Sequence, residues 1–372
     1  MRSARLRARF AAAALALTAV CGSLIAAQGA TAATAPGCAG TIMASPQKAK
    51  LAIGAQFHGT WASMTDTDRT CILNAMADAG ATWVRIDVGW TTIQPDARGS
   101  YHMAWGVPFV DKVLNMAHAR GLKVMATFWQ TPKWASGSSN PHVLPKNPAD
   151  YAAALKWATA RWKTQVQAWE IWNEPNTKDF LSPPDPAAYT RLLKAAYPAA
   201  KAGNPKAQVI FGGTMFVDTD WIGKAYAAGA KGSYDAMAVH PYMGNSGLGP
   251  EAPDTGRERL SHTAALVKLM NSKGEGSKPI WFTEFGWSTH TNTSTTPVWF
   301  KGVSESVQAS YLKRQFAFVE KNYPQVKNMF WYNSNDTSTG KLHPDNRGLL
   351  RRDYSRKPVF NAMKCYTRAL AC

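Results

Sequence analysis

Past residue 32 the sequence holds no apolar run long enough to span a bilayer, so no membrane partner is expected of that part of the chain. It has no C-x-x-C pair and no H-x-x-x-H spacing, which argues against a structural zinc site. A G-x-S-x-G elbow is missing, which argues against a serine hydrolase on an α/β sheet. No linker or low-complexity stretch divides the chain. Acids are scarce: 24 Asp and Glu stand against 42 Lys and Arg, for a formal charge of +18. The basic residues are scattered, and basic–aromatic clusters at single-strand spacing are absent, which argues against nucleic acid as the partner. So basic a surface is compatible with an anionic polysaccharide.

What is present begins with the first 32 residues. Arg2, Arg5, Arg7 and Arg9 form a positive region, and Ala11 to Ala19 is an apolar run too short to cross a membrane. Ala30-Thr31-Ala32 is a small-residue cleavage site, so 1–32 reads as a signal peptide and the protein as secreted. Val20 is bulky where a lipid-attachment signal before Cys21 needs a small residue. Cleavage removes four arginines and no acid, leaving +14 on residues 33–372. That length supports a large core without disulfide staples and reads as one domain. Cys38, Cys71, Cys365 and Cys372 remain, an even number in an exported chain. Two bridges are expected in one of three pairings, such as Cys38 with Cys71 and Cys365 with Cys372. The expected state is a monomer.

Apolar strand-like runs lie at Leu51–Phe57, Thr82–Val88, Leu122–Phe128 and Val166–Ile171. Four more lie at Ala207–Phe211, Tyr234–Val239, Pro279–Phe282 and Val326–Trp331. Their continuity is that of strands covered on both faces. Helical patterns alternate with them at Thr65–Gly80, Val107–Arg120, Pro148–Lys163, Pro186–Lys201, Trp221–Ala228, Arg257–Lys273, Ser304–Asn322 and Pro358–Thr367. Eight strands alternating with eight helices predict an α/β fold, a single-domain (β/α)8 TIM barrel. An open doubly wound sheet is disfavoured, because Phe57-His58-Gly59-Thr60-Trp61 stands where a glycine-rich phosphate turn would be.

Barrel chemistry sits where the strands end at their C-termini. The fourth strand runs out through Trp169-Glu170-Ile171-Trp172-Asn173-Glu174-Pro175-Asn176, and the seventh through Trp281-Phe282-Thr283-Glu284-Phe285-Gly286-Trp287. An unpaired buried carboxylate costs several kcal/mol, so acids in such apolar settings ask for a role. Strands four and seven lie roughly across a barrel, so Glu174 and Glu284 can converge over its cavity. Two facing carboxylates are what glycoside hydrolysis requires. The fifteen tryptophans add indole faces of the kind that stack on sugars.

At this point the chain resembles the clan of TIM-barrel glycoside hydrolases with glutamates on strands four and seven. In its motifs it is most similar to the cellulase-like family five and the xylosidase-like family thirty-nine. The resemblance covers essentially all of 33–372. It implies double displacement, with Glu174 as acid/base and Glu284 as nucleophile, and requires no metal or organic cofactor. It further implies that Arg85, in Trp83-Val84-Arg85-Ile86-Asp87, hydrogen-bonds the nucleophile and lowers its pKa, and that Asn173 donates to the sugar 2-OH. Thr131-Pro132-Lys133-Trp134-Ala135 is similar to a family thirty-nine loop, which makes Trp134 and Trp129 candidate sugar platforms. His240 and Tyr242, in His240-Pro241-Tyr242, match positions near the nucleophile. Trp331 matches the aromatic under the sugar at the cleavage point. The substrate implied is a β-linked poly- or oligosaccharide. The Gly- and Pro-rich segment between Met243 and Arg257 and the Ser/Thr-rich stretch from Ser288 to Pro297 are candidate cleft walls, and open-ended walls would favour internal cleavage. The alternative is a barrel that binds glycans without cleaving them, against which the presence of both glutamates argues.

Overall fold

The computed structural model describes residues 38–337 and 342–371. The expected signal peptide and Cys372, with the pairing expected for it, lie outside the described residues. Nine parallel strands form one sheet: β1 Ala52–Gln56, β2 Trp83–Gly89, β3 Lys123–Trp129, β4 Val166–Ile171, β5 Gln208–Phe211, β6 Thr214–Met215, β7 Met237–His240, β8 Ile280–Phe285 and β9 Val326–Trp331. Their order is β5-β4-β3-β2-β1-β9-β8-β7-β6. Beyond the ladder, Ile210 bridges Ala236 and the Phe211 N–H donates to the Ala236 carbonyl, so β5 also meets the segment leading into β7. The sheet therefore closes into an eight-stranded barrel whose fifth strand is interrupted at Gly212-Gly213 into β5 and β6. The sixth, seventh and eighth barrel strands are β7, β8 and β9.

The helices are α1 Asp66–Asp78, α2 Trp90–Ile93, α3 Gly106–His118, α4 Lys133–Ser136, α5 Pro148–Arg161, α6 Pro186–Gly203, α7 Thr219–Ala227, α8 Thr263–Ser272, α9 Glu305–Asn322 and α10 Pro358–Arg368. Their starts follow local chemistry. Thr65 and Asp68 form a reciprocal capping box at α1, and Asn147 and Asp185 each cap a helix that opens on proline. Most boundaries shift from the sequence expectation by up to three residues, and one shifts further. The helix expected from Arg257 begins at Thr263, after a 3-10 turn at Leu260–His262. The carbonyls of Arg257 and Glu258 instead accept from Val217 and Gly244, so that stretch is spent tying loops together. The short α2 and α4 hold too few residues to show a helical period in sequence. Cys38 and Cys71 form a disulfide, one of the pairings left open above. Among the described residues no helix is long and apolar enough to cross a membrane.

Two cores follow from the alternation of side chains along each strand. The large one lies between the strands and the helices. A smaller one, with Trp83, Met125, Ala168, Ile210, Ala238, Trp281 and Phe330, draws on seven strands or their approaches and fills the barrel interior. Two residues further along these strands come Arg85, Thr127, Glu170, His240 and Thr283, which share the inward face by the same alternation. The barrel thus carries an apolar plug below and a polar layer above it.

Candidate active site

The polar layer is organised by Arg85, which is 1% exposed. Its Nε donates to Glu170 Oε2 at 2.9 Å, and Nη1 donates to both Gln56 Oε1 and Glu284 Oε1 at 2.7 Å. Nη2 donates to Asn173 Oδ1 at 2.7 Å. Glu170, fully buried, also accepts from Thr127 Oγ1 at 2.7 Å and from the Gly213 N–H at 3.2 Å. One guanidinium thus faces two carboxylates, as a buried cation requires if its desolvation is to be offset.

Strict alternation would turn Glu284 away from the cavity, since Trp281 and Thr283 point inward. Three residues of β8 instead span two of β9: Phe282 pairs with Met329 and Phe285 with Trp331. This bulge lets Thr283 and Glu284 both face inward, a common use of bulges beside sites. Thr283 Oγ1 sits 3.1 Å from His240 Nε2, and Glu284 Oε2 accepts from the Tyr242 hydroxyl at 2.9 Å. At the end of β4 the backbone turns through two left-handed residues, Trp172 (φ 76°) and Glu174 (φ 42°), an arrangement held only by surrounding contacts. The Glu174 N–H donates to the Gly213 carbonyl at 3.0 Å, and Glu174 Oε1 lies 2.8 Å from His240 Nδ1.

Gly213 is required here by close approach. A Cβ on it would stand 2.4 Å from His240 Nε2 and 2.5 Å from Thr283 Oγ1. Gly213→Ala is therefore expected to destabilise the fold by about 1–3 kcal/mol, as overpacking does. It should also displace His240 from Glu174. Denaturant midpoints and turnover of the variant check this, and unchanged values of both would show that the layer can relax.

The two facing acids differ in their partners. Both Glu284 oxygens accept from donors, Arg85 and Tyr242. Glu174 has one oxygen at His240, while its Oε2 is buried without a partner. Burial pushes both carboxyls above the ordinary glutamate range. At Glu174 this is opposed by His240 and reinforced by Glu284; at Glu284 it is opposed by Arg85 and Tyr242. Arg85 thus acts on Glu284 in the expected direction, but the expected net lowering does not follow, because desolvation outweighs it. An oxygen of Glu174, one of Glu284 and a ring nitrogen of His240 all lie within 4.8 Å of one another. That geometry could seat a cation, but the Arg85 guanidinium already holds Glu284 at 2.7 Å. A metal there would meet a fixed positive charge.

The structure therefore gathers Arg85, Asn173, Glu174, His240, Tyr242 and Glu284 into one cluster. It does not place Trp331 there. Trp331 is 0% exposed on the outer face of β9, its indole N–H donating to the Arg347 carbonyl, so the sugar-platform expectation fails for it. Phe330 points inward, so alternation brings Tyr332 to the cavity, where its ring lies 5.6 Å from His58 and 6.4 Å from Tyr242. Trp134 packs edge-on against Trp90 at 5.5 Å, with its N–H on the Gln94 carbonyl, and is part of the loop packing. Trp129, at the end of β3, stacks on His142 at 5.3 Å. Sequence reasoning missed Glu170, Gln56, Gly213 and Tyr332, as well as Trp61, which is 42% exposed and stacked on His58 at 4.1 Å.

A search of curated proteins gives no significant match. Among solved structures, a family 39 glycoside hydrolase from the gut symbiont Bacteroides cellulosilyticus is 25% identical with a TM-score of 0.68. The match covers 86% of this chain and 64% of that one, so the chain spans less than two thirds of that relative's length. A GH5_18 protein from Streptomyces cattleya, in complex with Manβ1-4GlcNAc, is 19% identical at a TM-score of 0.64, covering 86% of this chain and 79% of that one. A monomeric β-xylosidase from Caulobacter crescentus is 17% identical at a TM-score of 0.64, covering 87% and 69%. The last two likenesses show the fold alone. Residues 46–337 match the family model for cellulase, glycosyl hydrolase family 5, and the chain belongs to that family.

Proposed function

We propose that the protein is a secreted, retaining glycoside hydrolase that cleaves a β-linked poly- or oligosaccharide by double displacement, with Glu174 as acid/base and Glu284 as nucleophile. The observation that carries this reading is the approach of the two carboxyl groups, one oxygen of each lying within 4.8 Å of one oxygen of the other. Retaining pairs stand about 5–5.5 Å apart, whereas inverting pairs leave about 6.5–9.5 Å for a water. The hydrogen bonds supply the roles. Glu284, with donors on both oxygens, is arranged as the carboxylate that attacks the anomeric carbon. Glu174, with one buried oxygen free, is arranged to hold a proton and pass it to the leaving oxygen. Glu174 then takes a proton from the water that releases the sugar. Asn173, fixed by Arg85, is within the same layer to meet the sugar 2-OH, and Tyr332 adds an aromatic ring 6.4 Å from that of Tyr242. The test is the anomeric configuration of the first product, followed by NMR during hydrolysis. A β-configured product is expected, and an α-configured one would replace retention by inversion.

Endo action and a monomeric state belong to the same proposal. The loop after β7 and the Thr-rich loop after β8 are joined, with Ser246 donating to the Val298 and Lys301 carbonyls. These joined loops are the candidate wall of a cleft along which a polymer can lie. Internal cleavage would release mixed oligomers early, whereas exo action would release one small product throughout. Export would be read from the N-terminus of protein recovered from the medium, expected at Ala33.

Arg85 gives a further expected result. Arg85→Ala strips the cation from fully buried Glu170, and breaking such a pair typically costs about 3–5 kcal/mol of stability. Loss of its charge-assisted bond to Glu284 should also lower kcat/KM by about one to two decades. Thermal denaturation and kinetics check both. A variant with the parent's melting temperature and rate would leave Arg85 without either role.

A further inference from the structure

Arg347 is a cation beside the site that the mechanism does not use. It lies in the loop after β9, and its guanidinium sits 4.3 Å over the Tyr242 ring and 6.0 Å from the Tyr332 ring. Tyr242 is the residue that donates to Glu284, so this charge stands one aromatic ring away from the proposed nucleophile. Elsewhere in the described chain arginines commonly hold acids: Arg69, Arg85, Arg161, Arg257, Arg314, Arg351 and Arg356 each have a carboxylate within 3 Å. Arg347 makes no ion pair among the described residues, and its Nε–H is buried without an acceptor. Its side-chain hydrogen-bond neighbour is His343, whose Nδ1 lies 3.4 Å from Nη2. Burial, Arg347 itself and His290 push that imidazole down to about 2, so His343 is neutral and supplies no countercharge. The four undescribed residues of the same loop, Ser338, Thr339, Gly340 and Lys341, include no acid.

A half-buried guanidinium without a carboxylate, one aromatic ring away from the paired glutamates, is arranged to receive one. Placement on an aromatic face orients the guanidinium, and no carboxylate of the described residues has to be displaced before a ligand's anionic group pairs with it. We propose that Arg347 is a specificity-determining residue that binds an anionic oxygen group on the sugar seated against Tyr242 and Tyr332, so that the substrate is an acidic glycan. The group is a carboxylate, as in a uronic acid, or a phosphate or sulfate ester; both offer paired oxygens to the fork. The excess of basic over acidic residues along the chain would draw such a polymer toward the protein. This inference rests on the glycosidase reading for its location, but it can be tested without turnover.

The experiment measures binding to the whole protein by tryptophan fluorescence, with methyl β-D-glucoside, methyl β-D-glucuronide and methyl β-D-glucoside 6-phosphate as probes. It uses the parent protein, Arg347→Met and Arg347→Lys, each first shown by circular dichroism and melting to be folded. One acidic probe should bind about tenfold more tightly than the neutral one, the value of one good charge-assisted bond. Arg347→Met should abolish that ratio, and Arg347→Lys should retain part of it. Which acidic probe gains identifies the source of the anionic oxygens. Equal binding of all three probes to the parent, or a preference that persists in Arg347→Met, would overturn the proposal. Failure of the glycosidase reading would appear elsewhere, as an Arg347-dependent acid preference in a protein that turns over no glycoside.

Discussion

Glu284→Ala should lower kcat on aryl β-glycosides by about four to six decades, the scale on which removal of a nucleophile acts. The fold should survive, because truncation frees Arg85 to remain with Glu170 at 2.8 Å rather than stranding it. Azide should restore turnover, since the space left beside Tyr242 admits a small anion. The azide product should have the inverted configuration, because one displacement replaces two. Turnover within tenfold of the parent, or a rescued product of retained configuration, would remove Glu284 from the nucleophile's role.

Glu174→Ala should divide substrates by their leaving groups. Those that depart without a proton should still form the glycosyl-enzyme, while those that need one should lose about two to four decades. The alkaline limb of the pH–rate profile should disappear with Glu174, because that limb reports loss of its proton. The same residue predicts a stability effect whose sign follows from burial. Its folded pKa lies above the ordinary glutamate value, so its stabilising contribution is complete below the unfolded pKa and is lost as pH rises through the folded one. Glu174→Gln, which cannot ionise, should therefore melt higher than the parent at about pH 8, with the gain vanishing by about pH 4. A variant that melts lower than the parent at both pH values would show that the carboxylate is welcome where it sits.

The barrel was legible because its strands and helices alternate with few long interruptions. The two glutamates were legible because each follows an apolar strand. Where legibility ended has physical reasons. A strand buried on both faces carries no polar alternation, so sequence alone did not say which of Trp331 and Tyr332 points inward. In space the inward plug residue Phe330 settles it in favour of Tyr332. The bulge that turns Glu284 inward has no sequence signal of its own, and appears only in the offset pairing of β8 with β9. Gly212-Gly213, which breaks the fifth strand, was visible as a pair of glycines. Its reason, the closeness of His240 and Thr283, is a matter of space. Glu170 was in plain view between Trp169 and Ile171, a carboxylate inside a buried strand. A buried ion pair leaves no mark of its own in sequence, and only the structure shows that Glu170 accepts from Arg85.

The central claim is that Glu284 becomes covalently bound to the sugar. A 2-deoxy-2-fluoro glycoside of the hydrolysed sugar, with an activated leaving group, slows the second displacement and lets that adduct accumulate. Mass spectrometry of the proteolysed protein should place the sugar on the peptide that carries Thr283-Glu284-Phe285, and Glu284→Ala should acquire none. An adduct on the peptide carrying Asn173-Glu174-Pro175, or none at all from an enzyme that hydrolyses the parent sugar, would contradict the account.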